Sequence, residues 1–290
     1  MPLLFLLFDF FENLQYIIAS VNSETRGPMD RSAMQTKVQK IFNFLKTDPL
    51  AGGTVLLLLT AAVHGLALFW GGILERDSVT YITAAVRWAD TGEYIVPHFP
   101  PLPCFIIKSF YQMGLPPEAA GRTFSFLCSL PLPFVAYSFA MKAAGSRPLA
   151  RYGAFMTVFH PLLLSVSAFP MRDSIYVLLA GLVMVAGIDA LKKPSFRAWS
   201  LCALWTGAAL CCRVETLEFF LLFPLLVFIR VLQKAYSLKK GLCSLLFYWF
   251  CAILFWSLLV LGTGGRESLE AQYENYVKGK LILLRERWNV

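Results

Sequence analysis

Long apolar runs separated by short polar segments dominate the sequence. Each run approaches the roughly 20 residues that a helix needs to cross a bilayer. The pattern therefore predicts an all-α, polytopic membrane protein with about seven transmembrane helices and additional extracytoplasmic juxtamembrane helices. The predicted spans lie near 52–73, 122–141, 152–170, 174–191, 198–213, 216–232 and 243–262.

The composition agrees with this prediction. Hydrophobic residues make up 57% of the chain and charged residues 15%, and the mean hydropathy of +0.61 is too high for a soluble domain. The net charge is +8. The basic residues of the chain are spread over short segments between apolar runs. A nucleic-acid-binding protein collects such residues on one soluble face, so no nucleic-acid partner is expected. The cysteines show no ligand or disulfide spacing, and we interpret them as small core residues.

The charges in the polar segments predict the orientation of the chain. Basic segments precede the first span and follow the second, fourth and sixth, and the positive-inside rule makes them cytoplasmic. The intervening segments pair Arg with carboxylates and are therefore extracytoplasmic. This pattern predicts a multi-pass protein of the cell (inner) membrane with a cytoplasmic N-terminus. The basic residues are Lys37, Lys40, Lys46, Lys142, Arg147, Arg151, Lys192, Lys193, Arg197, Arg230, Lys234, Lys239 and Lys240.

Three parts of the chain are predicted. Residues 1–50 form a cytoplasmic or interfacial N-terminal segment, and residues 51–262 form the transmembrane domain. Residues 263–290 form an amphipathic C-terminal helix. The transmembrane domain contains a long extracytoplasmic loop at 75–121, where most of the candidate chemistry lies.

The long loop begins with helical periodicity over 77–90. The predicted helix lies along the bilayer surface with Trp88 at the interface, and Gly92 ends it. Prolines then hold the chain extended, and 101–115 forms a re-entrant or surface-lying helix. One side of the first helix carries Asp77, Tyr81, Ala84 and Trp88, and an apolar strip carries Val79, Ile82, Val86 and Ala89.

Asp77 near the start of this helix is the carboxylate of greatest interest. The helix dipole favours its ionised form. On the residues alone, its simplest role is to cap the helix. Arg76 beside it is either an ion-pair partner of Asp77 or Glu75, or a cation available to an anionic ligand.

Several motifs along the chain together resemble a known family. The loop and the following span contain "RDSVTY", "TGEY", "PPLP" and "AGRTFSFL", in that order. Later segments read "FHPLLLSVSAFPMRDSIYVLLAGLVM" and "GAALCCRVETLEFFLLF". The series, over about residues 52–232, is similar to the GT-C class of polyprenyl-phosphate-sugar-dependent glycosyltransferases. That class includes protein O-mannosyltransferases, the lipid A aminoarabinose transferase and the Rgt-type bacterial family.

The resemblance implies a membrane glycosyltransferase that moves a sugar from a polyprenyl-phosphate donor to an extracytoplasmic lipid, glycan or protein acceptor. Asp77 is the expected general base, and transfer would invert the anomeric configuration. Many family members carry an acidic pair where this chain has Glu75 and Asp77 split by Arg76, so the involvement of a divalent cation stays open. The expected substrate-binding residues are Arg76, Tyr81, His98, Arg122, Arg172, Asp173 and Arg213.

Each of these residues also has a simpler interpretation. Any single arginine can snorkel to lipid headgroups. Asp173 is a partner of another site residue, a metal ligand or the acid of a simple salt bridge, and Glu215 is expected to pair with Arg213. His64 is expected to form a hydrogen bond in helix packing, and His160 to mark a kink before Pro161. The alternatives to the enzyme are a transporter or flippase of polyprenyl-linked lipids and a non-catalytic scaffold subunit.

Overall fold

The computed structural model describes residues 49–70, 72–92, 94 and 100–263. The predicted N-terminal segment before residue 49, the C-terminal helix after residue 263 and His98 lie outside these described residues. The chain divides into two compact units, residues 1–56 and 57–290. The described part of the first unit is the opening of one helix, and the second unit contains the candidate site.

All regular elements in the described ranges are helical, which confirms the all-α prediction. The α-helices are α1 (Pro49–Trp70), α2 (Arg76–Thr91), α3 (Pro101–Gln112), α4 (Pro117–Ser129), α5 (Leu132–Ala144), α6 (Arg147–Phe159), α7 (Pro161–Ala168), α8 (Arg172–Lys192), α9 (Phe196–Leu210), α10 (Glu218–Leu232) and α11 (Leu238–Thr263). A 3₁₀ turn, Val214–Leu217, joins α9 to α10.

The helices include several that are long and apolar enough to cross a membrane. In the described residues there are four such segments, Gly52–Phe69, Pro117–Ala144, Arg172–Lys192 and Leu238–Gly262, and a fifth if α6 and α7 form one bent span. Helices α9 and α10 have 15 residues each, which reach about 22 Å at 1.5 Å per residue and fall short of a hydrocarbon core of about 30 Å. The membrane fold is confirmed, and the count of about seven spans stays a prediction.

The break between α6 and α7 has a local cause and a distant support. Pro161 has no N–H, and the residue before it is pushed out of the helical region, so His160 adopts φ −68°, ψ 119° and the helices bend by 50°. Across the bundle, Nε2 of the fully buried His64 lies 3.1 Å from the carbonyl oxygen of Val158, near the break. Both histidines therefore have the packing and kink positions expected from the sequence.

Helix α2 is amphipathic and packs against the rest of the bundle. Gly92 ends it in a left-handed conformation (φ +77°), with its N–H donating to the carbonyl of Trp88 at 3.0 Å. The predicted interfacial position of Trp88 is wrong. Its ring is 6% exposed and packs 4.8 Å from that of Tyr94 and 5.8 Å from that of Phe105. The predicted apolar strip is also divided, because Ile82 is buried whereas Val79 is exposed.

Helix α3 supplies the other half of this packing. Its Cys104 and Ile107 are fully buried against α2, with the Cys104 thiol 3.8 Å from the carbonyl oxygen of Tyr81. Burial raises the pKa of the Cys104 thiol to about 12. The predicted short helix at 101–115 is thus present as Pro101–Gln112, and its inner face belongs to the protein core.

The segments predicted to be cytoplasmic meet at one end of the bundle. Lys142 at the end of α5 donates to both carboxylate oxygens of Asp189 in α8, at 2.5 and 2.6 Å. The side chain of Lys192 donates to the carbonyl of Lys142. Tyr236, between α10 and α11, donates to the carbonyls of Ala190 and Leu191. The basic segments after the second, fourth and sixth predicted spans are therefore neighbours, as their common charge predicted, and the segment before the first span lies outside the described residues.

Candidate functional site

The opposite end of the bundle carries the paired charges, and Arg122 connects two of its segments. This arginine in α4 donates from Nη1 to the carbonyl of Leu68 (3.3 Å) and from Nη2 to that of Gly72 (3.0 Å). Its Nε donates to Glu118 at 2.8 Å. Carbonyls at a helix C-terminus have no partner within the helix, so an arginine there stabilises the exit of α1. Arg122 thereby positions the segment that leads to Asp77, and its predicted phosphate contact stays a prediction.

A polar seam links α4 to the start of α8. The Ser174 hydroxyl lies 3.1 Å from that of Ser125 and 2.9 Å from the carbonyl oxygen of Val166. Above the seam, Gly121 allows close packing, because a Cβ there would lie 2.8 Å from Cγ1 of Ile82 and 3.0 Å from Cβ of Pro170. Helices α2, α4 and α8 are therefore held together at this end.

Asp173, Arg213 and Glu215 form the most developed charge cluster in the described residues. Nη1 of Arg213 donates to Oδ1 of Asp173, and its Nε lies 3.4 Å from Oε2 of Glu215. The three side chains are 33%, 28% and 30% exposed respectively. The simple salt bridge left open for Asp173 is present, but its partner is Arg213 of a distant segment. The expected Arg213–Glu215 pairing is confirmed.

Tyr176 is a member of this cluster that the sequence analysis missed. The guanidinium carbon of Arg213 lies 5.3 Å from the centre of its ring, within the range of a cation–π contact. Tyr176 follows Asp173 by one helical turn on the same face of α8, and that spacing was the available signal. Arg172 is the first residue of α8, and its side chain is half-buried beside this cluster.

Asp77 has a different environment from Asp173. It lies in the first turn of α2 and is exposed. Glu75 occupies the N-cap position, and its side chain makes no capping bond. Asp77 is the second residue of the helix, so it does not have the capping role that was its simplest interpretation. Within the described ranges, the Asp77 carboxylate has no ion pair or hydrogen bond, and Arg76 pairs with neither neighbouring acid.

The structure also bears on the predicted substrate contact of Tyr81 and on metal binding. The Tyr81 ring is 2% exposed and lies in the core shared by α2, α3 and α8. A substrate contact by this ring would require the core to open. For metal binding, the described part of the chain contains no group of three or more His, Cys, Asp or Glu side chains placed to hold an ion.

Residues 98–260 match the model of the dolichyl-phosphate-mannose-protein mannosyltransferase family, which is more than half of the chain. The chain belongs to this family. It is a membrane glycosyltransferase of the mannosyltransferase type, in agreement with the GT-C resemblance. No curated protein matches the chain.

The part of this mannosyltransferase-family chain that matches includes the charge cluster but not every candidate residue. Arg122, Asp173 and Arg213 lie within it. Asp77 and Arg76 precede the matched region, so their candidacy depends on the motif "RDSVTY" and on their position at the start of α2.

Proposed function

We propose that the protein transfers a sugar from a polyprenyl-phosphate donor to an acceptor on the extracytoplasmic side of the cell membrane, with Asp77 as the general base. The acceptor hydroxyl would belong to a lipid, a glycan or a protein. The observation that carries the proposal is the state of Asp77. Its carboxylate is exposed at the N-terminus of a juxtamembrane helix and has no partner in the described residues.

The proposed reaction is a single displacement. The acceptor oxygen loses its proton to the Asp77 carboxylate and forms a bond to the anomeric carbon. The bond between that carbon and the phosphate oxygen breaks, and polyprenyl phosphate leaves with the electron pair. Because attack and departure take place on opposite faces of the carbon, the configuration inverts. A base in this role must reach the acceptor proton within about 3 Å.

Positive charge at the same end of the bundle would favour departure of the phosphate. Arg213 pairs with Asp173, Arg172 precedes Asp173 in the chain, and Arg76 precedes Asp77. Preorganised guanidinium groups stabilise developing phosphate charge better than mobile ones. Contacts with Asp173, Glu215 and Tyr176 hold Arg213 in one orientation. Asp173 is already engaged by a cation, which supports Asp77 as the free base.

The test replaces Asp77 with Asn and measures transfer of labelled mannose from polyprenyl phosphate mannose in membranes containing the full chain. We expect a loss of at least about 100-fold, because general-base catalysis contributes about 10²–10⁴-fold. Asp90→Asn is the matched control, since Asp90 is an exposed acid at the other end of the same helix. Transfer at the parent rate by Asp77→Asn would exclude this residue as the base.

The same experiment distinguishes the alternatives. An Asp173→Asn variant that loses transfer while Asp77→Asn retains it would move the base to the charge cluster. A fluorescent polyprenyl lipid that crosses between leaflets in the presence of the parent chain, without sugar transfer, would favour a flippase. If neither transfer nor lipid movement depends on the chain, the result would favour a non-catalytic member of the family that acts as a scaffold subunit.

A further inference from the structure

The turn between α10 and α11 concentrates basic residues in a fixed conformation. The carbonyl of Arg230 accepts the N–H groups of both Ala235 (3.0 Å) and Tyr236 (3.2 Å), which closes the turn. Gly241 then lets α11 pack closely on α10. No acidic residue occurs between positions 230 and 240. The basic residues are Arg230, Lys234, Lys239 and Lys240.

Tyr236 anchors this basic turn to the end of α8. Its hydroxyl donates to the carbonyl oxygens of Ala190 (3.0 Å) and Leu191 (2.9 Å), and its side chain is 6% exposed. Burial raises the pKa of Tyr236, so the hydroxyl stays protonated and keeps its role as donor. The anchor fixes the backbone of the turn that carries the cations.

Two of the cations lie against the ring of Tyr236. The Arg230 guanidinium carbon and the Lys240 Nζ are each 5.9 Å from the ring centre. Nε of Arg230 is buried and has no hydrogen-bond partner within the described residues. Burying part of a charged guanidinium without an acceptor is costly, and the negative charge of a phosphate beside the group would offset this cost.

Lys234 has a backbone conformation that is uncommon for a lysine. Its φ of +56° lies in the left-handed region that favours Gly or Asn. Its side chain is exposed. The turn thus has a lysine at a position where the backbone favours glycine, so that a positive charge extends from its tip.

We propose that this turn binds the phosphate headgroup of an anionic glycerophospholipid in the adjacent leaflet. Leu232 and Leu238, on either side of the turn, are 64% and 71% exposed. A lipid carries acyl chains next to its phosphate. Apolar side chains next to a cluster of cations therefore match a lipid better than a soluble anion. Basic clusters at helix ends bind acidic headgroups because their charges lie near the membrane surface, where the headgroups are. The site is at the opposite end of α8 from Asp173 and does not depend on the proposed reaction.

The experiment uses the purified full chain in neutral detergent with short-chain phosphatidylglycerol as the probe, and native mass spectrometry gives the affinity. The double variant Lys234→Gly/Lys240→Gln removes two cations and keeps Tyr236. We expect binding to weaken about 20- to 30-fold, since each cation near an anionic surface contributes about fivefold. The matched control is Arg147→Gln/Arg197→Gln, which removes two exposed charges from the same end of the bundle.

Each result decides for or against the site. Selective weakening in the turn variant, with the control near the parent affinity, supports it. Equal weakening in both variants would show that binding depends only on the total positive charge, and it would overturn the proposal. Equal binding of short-chain phosphatidylcholine, or full competition by inorganic phosphate, would also overturn the assignment to an anionic lipid. The melting temperature of each variant without lipid checks that the fold is retained.

Discussion

The close crossing of α9 and α11 leads to a quantitative prediction for Gly207. A Cβ at this position would lie 2.9 Å from three atoms, the carbonyl oxygen of Ala252, Cβ of Phe255 and the amide nitrogen of Trp256. Two of these belong to the backbone of α11, so no side-chain rotation can relieve the contact. Small residues at such positions allow membrane helices to approach closely. The change Gly207→Ala therefore forces α9 and α11 apart.

The expected cost follows from two opposing effects. In a helix interior, Ala is more favourable than Gly by about 1 kcal/mol. Overpacking of a close contact costs about 1–3 kcal/mol, and the backbone neighbours of Gly207 place it at the upper end of that range. We expect Gly207→Ala to lower the free energy of unfolding by about 1–2 kcal/mol. Since Arg213 follows at the end of α9, the displacement should also reduce sugar transfer.

A matched substitution separates packing from helix propensity. Gly153 in α6 is also helical, but a Cβ there would find its nearest neighbour, Cβ of Ala140, at an ordinary 4.0 Å. Gly153→Ala should therefore stabilise the protein by about 0.5–1 kcal/mol. Both free energies can be measured by titrating mixed micelles with sodium dodecyl sulfate. If Gly207→Ala is as stabilising as Gly153→Ala, the close crossing of α9 and α11 is absent in the protein.

Two further predictions concern the charge cluster and the buried thiol. In a double-mutant cycle to Ala, Asp173 and Arg213 should show a coupling free energy of about 0.5–1 kcal/mol, because water screens a partly exposed pair. A coupling of zero would contradict the observed pairing. The thiol of Cys104 stays protonated at neutral pH, since its thiolate forms only as the pH approaches about 12. N-ethylmaleimide should modify Cys104 only after unfolding, because the thiol is buried in the folded protein, as mass spectrometry of peptides would show.

Local sequence was sufficient for several helices and for some of their ends, although the predicted span at 122–141 is divided into α4 and α5. The period of the apolar residues predicted a helix over 77–90, and the structure has Arg76–Thr91. Gly92 and the His160–Pro161 pair end helices through backbone preferences that involve only near neighbours. For the same reason, the apolar runs from 52 to 262 were recognisable as helices before any contact between them was known.

Contacts between distant segments could not be predicted in the same way. The period placed Trp88 correctly on a face of α2, but whether that face meets lipid or α3 depends on a helix that begins only at Pro101. Similarly, Asp173 had an arginine beside it in the sequence, yet the structure pairs it with Arg213. Several residues of suitable charge were available, and the packing of α8 against α9 brings Arg213 within reach of Asp173.

The sequence by itself determined an all-helical membrane protein, the division of its charges between two ends and the resemblance that led to the glycosyltransferase family. These properties follow from hydrophobic period, helix-ending residues and the composition of short segments, all of which are local. Only the tertiary structure decided which charges pair, which aromatic faces are buried and that Arg122 binds the exit of α1. Those outcomes depend on distances between segments that are far apart in the chain, and helix packing sets those distances.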